Sequence, residues 1–363
     1  MSQCIIHVGM HKTGSSSIQT TFSNLDNQKF HYTQIFHSPN HSRQVVTGFA
    51  SEPGQYRLNR VQAHRGHDFQ RRVRQIRREL AQSLKTANLR TSIISGEDIL
   101  LLNTDELAVF RDFLQKLGKD PIIFAYVRPP ADYMNSYFQH SLRGGNLIKL
   151  FSVEDAYPNY FTTFSKFDTI FGKENVKLRK YNRAILKEQD VVVDFADQIG
   201  IDMEKISIAR VNESWPKEVL MLLYQYRAHS KHLGLNGLNI KNLKKAGFFA
   251  LFENERFRLS PKLINPSLEK NRGDVEWMEK RLGTELADTP WEASDGDIQN
   301  EADMFCVVEG LREKIIGALT EAGRFNEKND SSTVYHLMHE FSELGGETEL
   351  RRTDRHSARH RGN

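Results

Sequence analysis

The sequence predicts an α/β fold: an open parallel sheet flanked by helices, with a helical extension towards the C-terminal end. Three observations predict it. Short segments at 3–8, 91–95, 121–127 and 176–181 read as strands, those at 3–8 and 121–127 being apolar runs of the kind buried on both faces. Segments with helical spacing separate them, the pattern of strand–helix–strand crossovers. Beyond residue 212 the strand signal stops and only helical segments follow.

The elements follow in order. The first run ends at Gly9, and a helix over 15–25 opens in Ser15, Ser16 and Ser17. Residues 26–66, rich in Asn, His, Ser, Gly and Gln, read as a long irregular insertion. Over 68–86, Phe69, Val73, Ile76, Leu80 and Leu84 fall on one helical face, while Arg71, Arg72, Arg74, Arg77 and Arg78 dominate the rest. Gly96-Glu97-Asp98 follows the second run at once, with Asp98 read as opening a helical turn. Thr104 reads as the N-cap of a helix running to Leu117. Further helices are expected over 131–142, 161–171, 191–199, 216–232, 274–286, 302–322 and 331–344. Residues 349–363 carry five arginines and two histidines and almost nothing apolar, the composition of a disordered tail. On this reading the chain has a core over 1–235, a helical extension over 236–348 packed on it, and a basic tail.

The bulk composition narrows the function classes. A formal net charge of +4 over 363 residues suits an anionic ligand without implying nucleic acid. No aromatic interleaving or known binding module accompanies the arginines, so nucleic acid is set aside. Cys4 and Cys306 form neither a metal pattern nor a disulfide framework, which points to a reducing compartment and a cytoplasmic protein. The N-terminus lacks a basic-then-apolar leader, and no stretch approaches the ~18 apolar residues of a membrane span. Peripheral contact with a membrane stays open; oligomeric state is unreadable.

The loop after the first strand carries the chemistry. An apolar strand, a Gly-containing turn and a helix opening in small hydroxyl residues form an anion cradle, because the first helical N–H groups lack internal partners and carry partial positive charge. Gly14 allows the tight turn, Lys12 adds a mobile charge, and Thr13, Ser15, Ser16 and Ser17 add hydroxyls. The order is not that of a Walker A loop, in which Lys follows the second Gly. Here Lys12 precedes Thr13-Gly14. A second element stands after the third strand, where Arg128 is delivered to the carboxyl edge of the sheet and Ser136 follows eight residues on, within the next helix. An Arg and a hydroxyl converging on one oxyanion make a phosphate clamp.

The stretch His7-Val-Gly-Met-His-Lys-Thr-Gly-Ser-Ser-Ser-Ile-Gln19 resembles the 5′-phosphosulfate-binding loop of bacterial sulfotransferase-family proteins, with Ser15 and Ser16 where Thr is usual. Arg128 and Ser136 resemble the element that binds the donor's 3′-phosphate in that family. The resemblance is carried by 3–20 and 121–138 and is looser over 91–98 and 176–214. It implies a P-loop NTPase-like fold and a donor, 3′-phosphoadenylyl sulfate (PAPS), with 3′-phosphoadenosine 5′-phosphate (PAP) as product and no metal. It places the donor on His11, Lys12, Thr13, Gly14, Ser15, Ser16, Ser17, Arg128 and Ser136. A later segment, Arg210-Val211-Asn212, offers Arg210 or Asn212 to close over the 3′-phosphate, or simply caps a helix before Trp215-Pro216. The late Arg-Lys-Gly loop of cytosolic sulfotransferases is not found.

Transfer to a hydroxyl needs a proton acceptor and stabilisation of the leaving oxygen. Lys12 takes the second role. Glu97, at the sheet edge where the donor motifs end, is the expected base, unless it caps or pairs with Lys12 or an Arg. His140, four residues after Ser136, is the alternative. His7 and His11 read as local packing or hydrogen-bonding residues. The acceptor, a saccharide or glycolipid by analogy with the family, carries no readable code. The arginine-rich helix is a solvated face or a docking surface for an anionic acceptor; Trp215, Trp277 and Trp291 are core residues or sugar platforms. The rival whole-protein readings are a P-loop-like nucleotide kinase and a non-catalytic nucleotide-binding homologue.

Overall fold

The computed structural model describes the chain apart from residues 145–150, 205, 211–214, 230–236, 253–254, 287–291, 307–309, 324–333 and 347–363. Five strands form one sheet: β1 (Ser2–His7), β2 (Phe30–Tyr32), β3 (Thr91–Ser95), β4 (Lys119–Val127) and β5 (Val176–Lys180). Their order is β2-β3-β1-β4-β5 and every pairing is parallel. Ile5 of β1 stands beside Ile93 of β3 and Ile122 of β4, so the most apolar strands occupy the middle.

Thirteen further elements are α-helices: α1 (Ser15–Phe22), α2 (Ser42–Phe49), α3 (Arg60–His64), α4 (Phe69–Ala87), α5 (Thr104–Lys116), α6 (Pro130–Gly144), α7 (Tyr160–Phe171), α8 (Val191–Ile199), α9 (Lys217–His229), α10 (Ile240–Lys245), α11 (Pro261–Lys270), α12 (Arg272–Leu282) and α13 (Leu311–Glu321). A further helix covers 334–346. Alternate residues of the strands face opposite layers. Cys4 and Ile6 pack with Val46, Leu80, Phe110 and Phe167, from α2, α4, α5 and α7. Ile5, Phe124 and Tyr126 pack with Ile18 and Phe22 of α1 and Phe195 of α8. Both faces of the sheet are therefore covered, which is why the central strands β1 and β4 read as apolar runs.

The chain forms two compact units that interleave along the sequence, where the sequence reading cuts once at residue 235. The first comprises 1–137, 156–213 and 265–291 and holds the whole sheet. Within it Asp274 of α12 receives the backbone N–H groups of Tyr160 and Phe161 at 2.8 and 2.7 Å, capping α7 from outside. The second comprises 138–155, 214–264 and 292–363, with a core that includes Leu222, Phe248, Ile315, Leu337 and Phe341.

Several local expectations change. The insertion 26–66 is not irregular: it supplies the edge strand β2 and helices α2 and α3. Its short strand and its helix of eight residues lie below the length at which periodicity is informative. Asn103, not Thr104, caps α5: its side chain accepts from the Glu106 N–H at 3.0 Å while Glu106 accepts from the Asn103 N–H at 2.9 Å. The helix expected over 302–322 is a 3₁₀ turn at Glu301–Phe305 and α13, which opens at Gly310 with φ +68°. The disordered-tail expectation lies outside the described residues. No helix among the described residues is long and apolar enough to cross a membrane.

Candidate functional site

β1 and β4 are neighbours, yet the chain leaves β1 towards β2 and β3 and arrives at β4 and β5 on the other side. Their carboxyl ends therefore flank a topological switch point, the crevice where open α/β sheets bind ligands. Beyond β1 the chain stays beside β4: Val8 N–H donates to the Phe124 carbonyl at 3.0 Å and Met10 N–H to that of Tyr126 at 3.0 Å. It then turns through Lys12 (φ +66°) and Gly14 (φ +81°) into α1. A Cβ on Gly14 would lie 2.6 Å from Cγ1 of Val191, so glycine is required there both by φ and by the closeness of α8. The start of α8 is held in turn by Asp194, a buried carboxylate that receives Arg179 at 2.6 and 2.7 Å and the Tyr126 hydroxyl at 2.6 Å.

The loop hydroxyls divide. Thr13 Oγ1 and Ser15 Oγ both donate to the Met10 carbonyl, at 2.7 and 3.3 Å, and so shape the loop from within. Ser17 is buried and Ser16 half-buried. The donors offered outward are mainly the first N–H groups of α1, at Gly14, Ser15 and Ser16, which have no carbonyl four residues back inside the helix. Lys12 is half-buried beside them.

Arg128 joins this loop. From the end of β4 its Nη1 donates to the Lys12 carbonyl at 2.6 Å, its guanidinium lies 5.6 Å from the centre of the Tyr181 ring, and its backbone carbonyl accepts the Tyr160 hydroxyl at 2.6 Å. Its Nε is buried and has no hydrogen-bond partner among the described residues. Ser136 is half-buried in the second turn of α6. The next residue, Tyr137, has its ring 6.5 Å from that of His11, which brings this turn of α6 to the loop. Arg210 is 80% exposed and pairs at 3.5 Å with Asp190, the N-cap of α8 and the neighbour of Val191. Asn212, the alternative, lies outside the described residues.

Glu97 is enclosed by side chains from two other elements. Asn40 Nδ2 donates to Oε1 and Oε2 at 3.1 Å each, Gln19 Nε2 to Oε2 at 2.9 Å, and Ser42 Oγ to Oε2 at 3.4 Å. The insertion is pinned to the end of β3 here. His41 N–H donates to the Ser95 carbonyl at 2.8 Å, Ser95 N–H donates to His41 Nδ1 at 3.1 Å, and a Cβ on Gly96 would come within 2.5 Å of the Ser42 backbone nitrogen.

Asp98 opens a 3₁₀ turn, but its side chain does more than cap. It is 6% exposed, and its Oδ1 lies 3.1 Å from His11 Nε2. Its Oδ2 accepts the Tyr56 hydroxyl and stands 3.8 Å from Arg57 Nη2. Burial pushes this carboxyl up, yet the hydrogen bonds from His11 and Tyr56, with the charge of Arg57, hold it below the usual carboxylate range. His11 therefore has Asp98 as a hydrogen-bonding partner and the Tyr137 ring beside it. His7 is fully buried with Nδ1 2.8 Å from Ser95 Oγ. Tyr56 and Arg57, with Gln55, Arg60, Leu101 and Asn103, also line a cavity of about 500 Å³, within the roughly 300–1,000 Å³ range of ligand clefts.

Sequence reasoning missed Gln19, Asn40, Ser42, Tyr56 and the role of Asp98. Gln19 was open to inspection, since it ends the loop motif, four residues into α1 from Ser15. The insertion residues carried no signal of their own. His140 lies on α6 within the second unit. Two of the arginines on α4 lie over aromatic rings, Arg72 over Phe36 at 4.2 Å and Arg77 over Phe49 at 5.0 Å; Arg77 is half-buried, while Arg71, Arg72, Arg74 and Arg78 are exposed. Trp215 packs on Arg143 and Phe249, and Trp277 on Phe161, each tryptophan half-buried. Trp291 lies outside the described residues.

No family model matches the sequence. An uncharacterized protein of Archaeoglobus fulgidus is 28% identical over 112 residues, 31% of this chain, and the match spans 30% of that relative's length. Among solved structures, a sulfotransferase from Alicyclobacillus acidocaldarius is similar with a TM-score of 0.35 at 14% identity, over 65% of this chain and 98% of that one. The mouse sulfotransferase SULT7A1 complexed with PAP gives 0.30 at 14% identity, over 65% and 68%.

Proposed function

We propose that this chain is a PAPS-dependent O-sulfotransferase. One observation carries the reading: Arg128 from β4 is bonded to the Lys12 carbonyl, so the phosphate loop and the strand-end arginine form one cationic assembly in the switch-point crevice. The residues fit a donor with two anionic ends. The first N–H groups of α1 offer an anion site, and the buried Arg128 Nε has no hydrogen-bond partner among the described residues.

The donor supplies an activated sulfuryl group on a phosphosulfate anhydride. The chain's residues bind and orient it. The N–H groups at the start of α1 and the Lys12 ammonium hold the 5′ end, where negative charge grows as the bridging bond breaks. Arg128 and Ser136 hold the 3′-phosphate, with Arg210 closing over it. No metal is invoked, because the sulfuryl group carries less charge than a phosphoryl group. The attacking hydroxyl gives up its proton to a base, for which Glu97, in the turn after β3, is the residue read from the sequence and His140 its alternative. The acceptor is polar and hydroxyl-bearing, a saccharide or glycolipid, and the cavity beside Tyr56 and Arg57 is of a size to hold one.

Lys12→Ala tests the reading. It is expected to lower the rate of labelled sulfate transfer from PAPS to a glycan panel by roughly 100-fold or more, the effect of removing one preorganised stabiliser of developing charge. Failure of the wild-type chain to bind PAP in a titration would overturn the proposal, as would magnesium-dependent ATP hydrolysis.

A further inference from the structure

We infer that the acceptor is an acidic polysaccharide, one that carries carboxylate or sulfate groups beside its hydroxyls, and that the arginines of the insertion and of α4 bind it. The inference rests on the sulfuryl-transfer reading, whose acceptor it narrows.

The charge of the chain is concentrated in one segment. Residues 43–79 hold nine arginines and no lysine against three carboxylates, so nine minus three gives +6, whereas the whole chain is +4. The remainder is therefore net negative. Eight of the nine arginines are exposed, Arg77 being half-buried. The acids of the segment do not cancel them. Asp68 accepts from the Gln70 N–H at 2.8 Å as the N-cap of α4, Glu52 accepts from the Gln55 side chain, and Glu79 is half-buried. Arg71, Arg74 and Arg78 stand at i, i+3 and i+7 and form one stripe of α4. None of the three makes an ion pair among the described residues. The residue type matters as much as the charge. A guanidinium presents a planar fork that grips an oxyanion through two hydrogen bonds, which an ammonium cannot do.

Placement joins this face to the site. The carbonyl of Asn88, the residue after α4, accepts from Ser2 Oγ at 3.1 Å and from Lys119 Nζ at 2.8 Å, the first residues of β1 and β4. The C-terminal end of α4 thus lies at the amino edge of the sheet, and the end that carries the arginines lies towards the carboxyl edge. There Arg43 follows Ser42, whose Oγ donates to Glu97 at 3.4 Å and accepts the Asp98 N–H at 3.1 Å. Arg43 is held by Asn59 and Gln62 at 3.0 and 2.7 Å. Its charge reaches Arg72: partial burial first, and Arg43 second, pull that guanidinium below its ordinary value. Arg57 stands 3.8 Å from Asp98 and, with Arg60, lines the cavity of about 500 Å³ beside Tyr56. Glu52 and Glu106 line it too, but Glu106 is committed to the N–H groups of Ser51 and Asn103 at 2.7 and 2.9 Å.

The cations therefore run from the turn after β3 outward to α4. From Arg71 to Arg78 the stripe covers about 10 Å, so it meets more than one anionic group at a time. A partner that spans it is extended and repeatedly charged, and because the run begins beside Asp98 that partner is the one presented to the donor. It must also bear the hydroxyl that sulfuryl transfer requires. A polysaccharide with acidic groups satisfies both conditions.

The test uses the full chain and three probes: polygalacturonate, which is carboxylated and free of sulfate, neutral dextran, and phosphatidylglycerol vesicles. Wild type is expected to bind polygalacturonate at least roughly 10-fold tighter than dextran, with an affinity that falls as salt rises from about 0.05 to 0.5 M. Arg71→Gln/Arg74→Gln/Arg78→Gln removes the stripe and leaves the donor residues in place. It is expected to weaken polygalacturonate binding, and to raise the KM for its sulfation, by roughly 10-fold or more, while PAP affinity stays that of wild type. Equal wild-type affinity for dextran overturns the inference, as does a triple variant that binds polygalacturonate like wild type. Should the variant fail to fold, wild-type binding that is indifferent to salt overturns it equally. Vesicle binding that is lost in the triple variant, with no binding of polygalacturonate, makes the face a membrane surface and overturns it too. Absence of PAP binding by the wild-type chain defeats the sulfuryl-transfer reading itself. PAP binding and sulfation of a neutral glycan, with polygalacturonate neither bound nor sulfated, defeats only the choice of acceptor.

Discussion

The guanidinium of Arg128 donates to the backbone carbonyl of Lys12 at 2.6 Å, joining the end of β4 to the loop after β1. The arginine thus has two tasks, to brace the loop and to present charge to an anion. Arg128→Lys keeps the charge but lacks the planar fork that serves both. It is expected to weaken PAP binding roughly 10- to 100-fold, or about 1.4–2.8 kcal/mol. A titration with unchanged affinity would separate Arg128 from the donor site.

Gly14→Ala meets two obstacles. The left-handed backbone costs a side chain about 1–2 kcal/mol, and the new Cβ at 2.6 Å from Val191 Cγ1 adds overpacking of about 1–3 kcal/mol. Denaturant titration is expected to show the sum. Adding Val191→Ala is expected to recover only the packing part. Full recovery would mean that φ carries no cost here.

Gly96→Ala tests the anchoring of the insertion. Its φ of −169° is ordinary extended backbone, so the effect is purely steric, from the Ser42 nitrogen at 2.5 Å. The insertion must move away from Glu97 and Asp98. Sulfate transfer is expected to fall at least about 10-fold while PAP affinity changes less, because the donor cradle lies on α1 and β4. Equal losses in both would show that the insertion shapes the donor site too.

His7 and His41 make the fold acid-sensitive. Burial alone pulls His7 down to about 3, and burial outweighs a backbone hydrogen bond to pull His41 down to about 4. Both are neutral in the fold and bind protons on unfolding. Their contribution is complete above about pH 6.5 and shrinks as the pH falls towards the folded values, by up to about 1.4 kcal/mol per pH unit for each. Denaturation measured across that window is expected to show this slope, reduced by about half in His41→Asn. An unaltered slope in the variant would remove His41 from the account.

The sequence by itself determined the layers and half of the site. Apolar runs such as Cys4-Ile5-Ile6 are legible because a strand covered on both faces must be apolar at every position. Lys12, Gly14 and Arg128 were legible because each follows directly from the end of such a strand, where chain direction alone sends it to the carboxyl edge. The partners of His11 and Glu97 were not. Asn40, Ser42 and Tyr56 lie in short elements whose spacing carries no period, and nothing local ties them to Asp98. Only the strand order did that. It sets β3 beside β1, so that the turn after β3 stands next to the loop, and it lets Gly96 admit the backbone of Ser42. A hydrogen bond between residues remote in the chain is decided by which strands become neighbours. That choice minimises exposed apolar surface over the whole sheet, and no single segment encodes it.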